Sequence, residues 1–84
     1  MNVIRDNNGK IIHTSRNLRG VLEYAGKHSA LKVSCSKLTN GEGKLCILFD
    51  NFSSFETNFA SYDVLVGFVK RWRNVKYAEF SFED

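Results

Sequence analysis

The sequence predicts an α+β fold, a small antiparallel or mixed β-sheet with two helices packed on it in the order ββαβββαβ. Two segments repeat apolar residues at the i, i+3, i+4, i+7 spacing of a helix, and several short segments alternate apolar and polar residues as strands do. The 84 residues are 43% hydrophobic and 13% aromatic, which indicates one globular domain, 1–84, with a modest core.

The first three elements are predicted to be a hairpin followed by a helix. Residues 2–5 and 10–13 flank DNNG, whose Asn-Gly pair is typical of a tight turn. Ser15 or Asn17 can cap the helix. Gly20 inside it indicates either close packing or a weak helix. The apolar face of this helix consists of Leu18, Val21, Leu22 and Ala25.

Three strands are predicted in the middle of the chain. Residues 31–36 alternate apolar and polar side chains, as in a strand with one face in water. After the loop TNGEGK, the segment LCILF is apolar at every position, which predicts a central strand with both faces at least partly covered. The connection DNFSS then forms a hairpin with the strand at 55–59.

The run from Phe59 to Val75 predicts the second helix. Ser61 can cap its first turn, and the charge of Asp63 favours the positive end of the helix. An apolar stripe follows at helical spacing: Leu65, Phe68, Val69 and Trp72. The last turn carries the cations Lys70, Arg71 and Arg73, which either complement the helix dipole or bind a partner.

Residues 77–82 alternate once more, which predicts a last strand on a sheet edge or a free tail. An exposed edge strand would permit a homodimer without requiring one.

The net charge of +3 is unevenly distributed along the chain. Residues 1–44 carry eight Lys and Arg against three acids, a balance of +5, whereas residues 45–84 carry four against six, a balance of −2. This asymmetry predicts either one basic face for phosphate or an acidic partner, or charges scattered over the folded surface.

No segment is apolar over enough residues to span a bilayer, and MNVIRDNNGK lacks the apolar core of a signal peptide. A cytoplasmic location without membrane association is therefore expected. In that compartment Cys35 and Cys46 are predicted to be small buried hydrophobes. They face each other in one register of their hairpin and lie on different faces in a register shifted by one residue.

The sequence predicts neither catalysis nor a cofactor. His13 and His28 do not combine with the two cysteines in the spacing of a metal site. A Gly-bracketed Ser, a His-x-His and a Glu-x-x-His are all absent, and GEGK lacks the spacing of a phosphate-binding loop. We therefore expect a non-enzymatic protein without metal or cofactor.

Two kinds of binding remain. Charge and stacking groups suited to single-stranded nucleic acid are provided by Arg16, Arg19, Phe52, Phe55 and Tyr62, although the phenylalanines also alternate as core strands do. Protein binding is the other interpretation, because a sheet edge, an aromatic hairpin and a basic helix tip are suitable recognition elements.

The stretch GEGKLCILFDN, continuing through ETNFASYDVLVGFVKRWRNV, resembles a group of small uncharacterised proteins encoded by bacteriophages and other mobile elements. The resemblance covers residues 9 to 75, and its distinctive part is NFASY followed by FVKRWRN; the C-terminal YAEFSFED departs from the group. It implies a role in the contest between phage and host, a class that includes anti-CRISPR inhibitors.

We therefore expect an interaction protein of phage or mobile-element origin that inhibits a bacterial defence complex by occluding its surface. The expected partner is a host protein complex, which could be a ribonucleoprotein, and the alternative is a small nucleic-acid-binding accessory protein. The residues expected to contact the partner are Arg16, Arg19, Phe52, Tyr62, Lys70, Arg71 and Arg73.

Overall fold

A six-stranded sheet with two helices forms the protein, which confirms the predicted α+β class and the order ββαβββαβ. The structure is a computed structural model that describes residues 2–72 and 79–83. Its elements are β1 (Asn2–Arg5), β2 (Ile11–Ser15), α1 (Leu18–Lys27), β3 (Ala30–Lys37), β4 (Gly43–Phe49), β5 (Ser54–Phe59), α2 (Tyr62–Arg71) and β6 (Glu79–Glu83).

The strands lie in the order β2-β1-β5-β4-β3-β6, so β4 is central, as its apolar sequence predicted. All neighbouring pairs are antiparallel except β3 and β6, which are parallel, and the sheet is therefore mixed. The predicted last strand lies on a sheet edge; the first two residues of that prediction, Tyr77 and Ala78, fall outside the described residues.

The two helices close one face of the sheet. Along β4 every second residue is buried under the helices. The residues that alternate with these, among them Cys46 and Leu48, are half-buried on the opposite face of the sheet, which carries no helix. Buried side chains from four strands and both helices form a single apolar core, whose members include Ile4, Val21, Val33, Leu45, Ile47, Phe49, Phe55, Leu65 and Val69.

Helix α2 follows its sequence signals closely. The Ser61 hydroxyl accepts a hydrogen bond from the backbone N–H of Val64 at 3.2 Å, so the predicted cap is confirmed. Leu65 and Val69 are fully buried, because α2 packs across β3, β4 and β5. The helix ends at Arg71, with Trp72 as its C-cap.

Two glycines allow close approach of helix and strand. A Cβ on Gly20 would overlap the side chain of Ser15, so close packing explains the glycine inside α1. A Cβ on Gly43 would lie 2.9 Å from Leu65 Cβ and 3.0 Å from Tyr62 Cα, and its absence lets α2 settle on β4.

The β3–β4 register places the two cysteines on different faces. Cys35 lies opposite Leu45, and Cys46 lies opposite Ser34, which is the shifted register of the two considered. Both thiols are free. Cys35 is buried under the helices, and burial raises the pKa of its thiol to about 11.

Candidate functional site

Four of the basic residues that the sequence suggested for partner binding lie in the described part of the chain, and all four are exposed, two near each helix. Arg19 lies in the first turn of α1, whereas Arg16 lies outside the helix, in the connection between β2 and α1. Helix α1 packs on β1 and β2. Lys70 and Arg71 lie at the end of α2, which packs on β3, β4 and β5. Arg73 lies outside the described residues. The four described cations therefore form two separate groups.

The aromatic residues suggested for stacking differ sharply in exposure. Phe55 is fully buried in the sheet core, so it is not a stacking group. Tyr62 is half-buried and packs against the core at the beginning of α2. Phe52, in contrast, has 63% of its surface exposed, the largest exposure among the large hydrophobic residues described. Of these three aromatic residues, Phe52 in the β4–β5 connection is therefore the one with a largely exposed ring.

Phe52 has a backbone conformation that glycine usually adopts. Its N–H donates to the carbonyl of Phe49 at 3.0 Å, and the N–H of Phe49 donates to the carbonyl of Ser53 at 2.9 Å. Hairpin loops of this kind place a left-handed residue after the turn. Phe52 has φ of 64° and is the one non-glycine with positive φ among the residues that the structure describes. A bulky side chain in this region strains the backbone.

The loop of residues 50–53, here the Phe52 loop, is fixed by side chains rather than by glycine. The side-chain oxygen Oδ1 of Asn51 accepts a hydrogen bond from the backbone N–H of Ser53 at 3.1 Å, and the side-chain nitrogen Nδ2 of Asn51 donates to Tyr24 Oη at 2.9 Å. Tyr24 Oη also lies 3.0 Å from Ser53 Oγ. At the other side of the loop, the N–H of Asp50 donates to the carbonyl of Ser29 at 2.8 Å. These contacts attach the loop to α1 and to the chain before β3.

Tyr24 also connects the loop to the sheet edge through its ring. Its centroid lies 5.3 Å from that of His13, 4.7 Å from that of His28 and 4.9 Å from that of Phe49. His28 in turn places Nδ1 3.7 Å from Asp50 Oδ1. The aromatic cluster thus extends from the edge strand β2 to the Phe52 loop.

A recess of about 570 Å³ lies between β2 and α1, and we call it the α1 recess. Gly20, Glu23, Tyr24 and Lys27 line it at the i, i+3, i+4, i+7 spacing of one helix face, together with His13 and His28. His13 Nε2 is buried there without a hydrogen-bond partner in the described part of the chain. Such an atom is unusual in a folded protein.

The sheet face without helices has a different character. Ser34, Cys46 and Leu48 lie on this face around a depression of about 200 Å³. The Cys46 thiol donates to Glu56 Oε1 at 3.4 Å; burial and this hydrogen bond raise its pKa. A thiol with a raised pKa is a poor nucleophile at neutral pH. This face therefore offers polar contacts rather than a reactive group.

Residue Ser53 is only 1% exposed, and its hydroxyl is hydrogen-bonded to Tyr24 and Asn51. This hydroxyl is therefore not accessible to a substrate. Within residues 2–72 and 79–83, no three His, Cys, Asp or Glu residues are grouped to hold a metal ion. The described helices include none long and apolar enough to cross a membrane.

The fold and this surface define a small α+β domain with an aromatic residue displayed on a fixed hairpin loop. No protein-family model matches the chain, and comparison with curated proteins and with solved structures found no significant match.

Sequence reasoning included Phe52 but missed Tyr24, Asn51 and Ser53, which fix its position. One local signal was available, because DNFS forms a short hairpin connection without the glycine that such loops usually contain. The ring contacts of Tyr24 had no comparable signal, since they join residues from three separate elements.

Proposed function

We propose that this protein is a non-enzymatic protein-binding domain whose partner covers Phe52. The observation that carries the proposal is that a bulky, exposed side chain occupies a left-handed backbone conformation. A left-handed backbone disfavours a bulky residue by about 1 kcal/mol, and glycine would remove that penalty. The chain instead places there the most exposed large hydrophobic side chain among the described residues and fixes the loop through Tyr24 and Asn51.

A fixed aromatic side chain is well suited to anchor an interface. Aromatic residues are enriched among the few contacts that dominate binding energy, and a rigid loop lowers the entropy lost on association. The bonds of Asn51 and Tyr24 hold the Phe52 loop before any partner arrives. The exposed ring therefore supplies apolar area at a small ordering cost.

The finer proposal is that the partner is a bacterial defence complex, which this protein inhibits in the host cytoplasm by surface occlusion. It is supported by the resemblance of the segments around NFASY and FVKRWRN to phage-encoded proteins and by the small size of the chain. Arg16, Arg19, Lys70 and Arg71 would then act as charged contacts at the periphery, where such groups mainly set association rates.

Nucleic-acid binding is less well supported than protein binding. Binding of single strands usually combines a continuous basic groove with several stacking platforms. Here the described basic residues of the two helices are separated, and one of the three suggested aromatic residues, Phe55, is buried. One strongly exposed phenylalanine on a loop suits an apolar pocket on a protein better than a run of bases.

The proposal is tested by affinity capture from a lysate of a bacterial host, with and without nuclease treatment, in which the wild type, Phe52→Gly and Val64→Ala are compared. Val64 is 54% exposed on α2, so it provides a matched exposed apolar side chain away from the loop. We expect Phe52→Gly to lose at least about tenfold of the captured partner, while Val64→Ala retains it.

Circular dichroism of each variant would verify that the fold is intact. Equal capture by the wild type and Phe52→Gly would remove Phe52 from the interface. Capture that disappears on nuclease digestion, with no stoichiometric protein left, would favour the nucleic-acid alternative.

A further inference from the structure

The two edges of the sheet are protected to different degrees. Edge strands usually carry charges or proline, which discourage pairing with another chain. The edge strand β6 contains Glu79 and Glu83 in five residues, whereas β2 reads IIHTS and contains neither a charge nor a proline. Ile11 and Ile12 of β2 are 47% and 44% exposed. The outer side of β2 also has no strand partner within residues 2–72 and 79–83.

The α1 recess lies at the β2 edge, whose strand contains neither a charge nor a proline. Its lining comes from β2, from one face of α1 and from His28 directly after the helix, and from no other described strand. A strand added outside β2 would place alternate side chains on the same face of the sheet as His13, and so beside the recess. Edge strand and recess thus form the two parts of a site for an extended chain.

The recess is suited to a polar side chain. His13 Nε2 is buried and lacks a hydrogen-bond partner among the described residues, so an apolar occupant would leave it unsatisfied. Lys27 and Glu23 add a cation and a carboxylate to the lining. A site with such groups discriminates against ligands that cannot hydrogen-bond.

We infer that β2 accepts an extended segment of a partner protein as an additional strand, with one polar side chain of that segment hydrogen-bonded to His13 in the α1 recess. This is recognition by strand addition, in which main-chain bonds supply affinity and pockets supply specificity. The inference deepens the proposed protein-binding function and rests on it.

A separate segment fits this edge better than a second copy of β2. Ile12 has no partner on β1, because the register shifts between Ile4 paired with His13 and Arg5 paired with Ile11. Two copies of β2 would each bring this irregularity to the shared ladder, which disturbs regular pairing. If the added segment has no bulge, only β2 is irregular in the new strand pair.

The test uses a random dodecapeptide library displayed on phage and selected against the full chain. Synthetic copies of the selected peptides are then titrated into the wild type, His13→Leu and Glu79→Ala, the last being a control on the opposite edge. We expect the peptides to share a polar residue at one position and to bind His13→Leu about tenfold more weakly. Glu79→Ala should bind within about twofold of the wild type.

Hydrogen exchange on the wild type provides a measurement that needs no variant. Bound peptide should slow the exchange of β2 amides within Ile11–Ser15, because added main-chain bonds protect them. Failure to select any peptide, protection confined to β6 or the Phe52 loop, or equal affinity for His13→Leu would each overturn the inference. If, in the absence of peptide, the hydrogen-exchange protection of the β2 amides increases with protein concentration, the edge pairs with a second copy of the chain instead.

This test is independent of Phe52, so the two proposals can fail separately. Phe52→Gly should bind the selected peptides as the wild type does. If no β2-binding peptide is selected while capture from the lysate still depends on Phe52, only the strand-addition proposal is wrong. If capture does not depend on Phe52 while bound peptides protect the β2 amides, only the Phe52 interface is wrong.

Discussion

The two helices of this protein show how differently a sequence can treat packing and recognition. Helix α2 follows local rules throughout: Ser61 caps it, and Leu65 and Val69 on its apolar stripe are fully buried. Around α1 those rules are broken three times. Asn17 precedes the helix without a side-chain hydrogen bond, His13 Nε2 has no described partner, and Phe52 occupies a left-handed position.

The difference separates the part of the molecule that supplies stability from the part that we assign to binding. Natural proteins are locally consistent except where function demands a compromise. On the α2 side, the cap of Ser61 and the buried side chains of Leu65 and Val69 stabilise the fold. On the α1 side, the backbone of Phe52 and the His13 Nε2 atom, which has no hydrogen-bond partner among the described residues, are arrangements that the fold alone does not favour. The proposed partner segment would supply His13 with a hydrogen bond.

The largest expected effect is on the α2 side. Leu65→Ala should lower the free energy of unfolding by about 2 to 5 kcal/mol, because it leaves a cavity in the core. Val64→Ala, on the exposed side of the same helix, should change it by less than about 0.5 kcal/mol. Urea unfolding followed by circular dichroism measures both, and similar values for the two variants would contradict the assigned face of α2.

The pH dependence of stability should report the burial of Cys35 under the helices. The thiol has its ordinary pKa of 9.0 in the unfolded chain and a pKa of about 11 in the fold. Between these values the unfolded chain loses its proton first, so the stability present below pH 9 is lost as pH rises, by about 2 kcal/mol.

Comparison of unfolding curves for the wild type, Cys35→Ala and Cys46→Ala from pH 8 to pH 11 isolates this contribution. Cys35→Ala should flatten the decline relative to the wild type. Cys46 is only half-buried on the other face, so its variant should keep most of the slope. A wild-type slope in Cys35→Ala would show that other groups cause the decline.

Close contact between β4 and α2 should make Gly43 sensitive to a single methyl group. Gly43→Ala should destabilise the fold by about 1 to 3 kcal/mol, because the new Cβ would lie 2.9 Å from Leu65. Gly26 in α1 has no atom within 4 Å of such a Cβ, so Gly26→Ala should stabilise the fold by about 0.5 to 1 kcal/mol. Thermal unfolding of the pair should therefore give shifts of opposite sign.

The smallest expected effect is a gain in stability at the Phe52 loop. Phe52→Gly should raise the free energy of unfolding by about 1 kcal/mol, since glycine accepts positive φ without strain. Phe52→Ala removes the ring but keeps a Cβ, and should not show this gain. A less stable Phe52→Gly protein would mean that the ring supports the fold, which would weaken its assignment to binding.

The sequence anticipated most elements because their signals are local. The Asn-Gly turn, the cap at Ser61 and the alternation at 31–36 each depend on neighbours in the chain, and each lies in the predicted element. The candidate site was only partly predicted. Phe52 was included, but Tyr24 was not, because its partners Ser53 and Asn51 are 29 and 27 residues away.

The sequence by itself determined the fold class, the two amphipathic helices and the central position of the LCILF strand. Periodicity and capping depend on a few consecutive residues, so they can be read before any tertiary contact is known. Tertiary structure alone decided the face of each cysteine, the burial of Phe55 and the meeting of β2, α1 and the Phe52 loop around Tyr24. These depend on strand register and helix placement, which come from long-range packing that no local pattern contains.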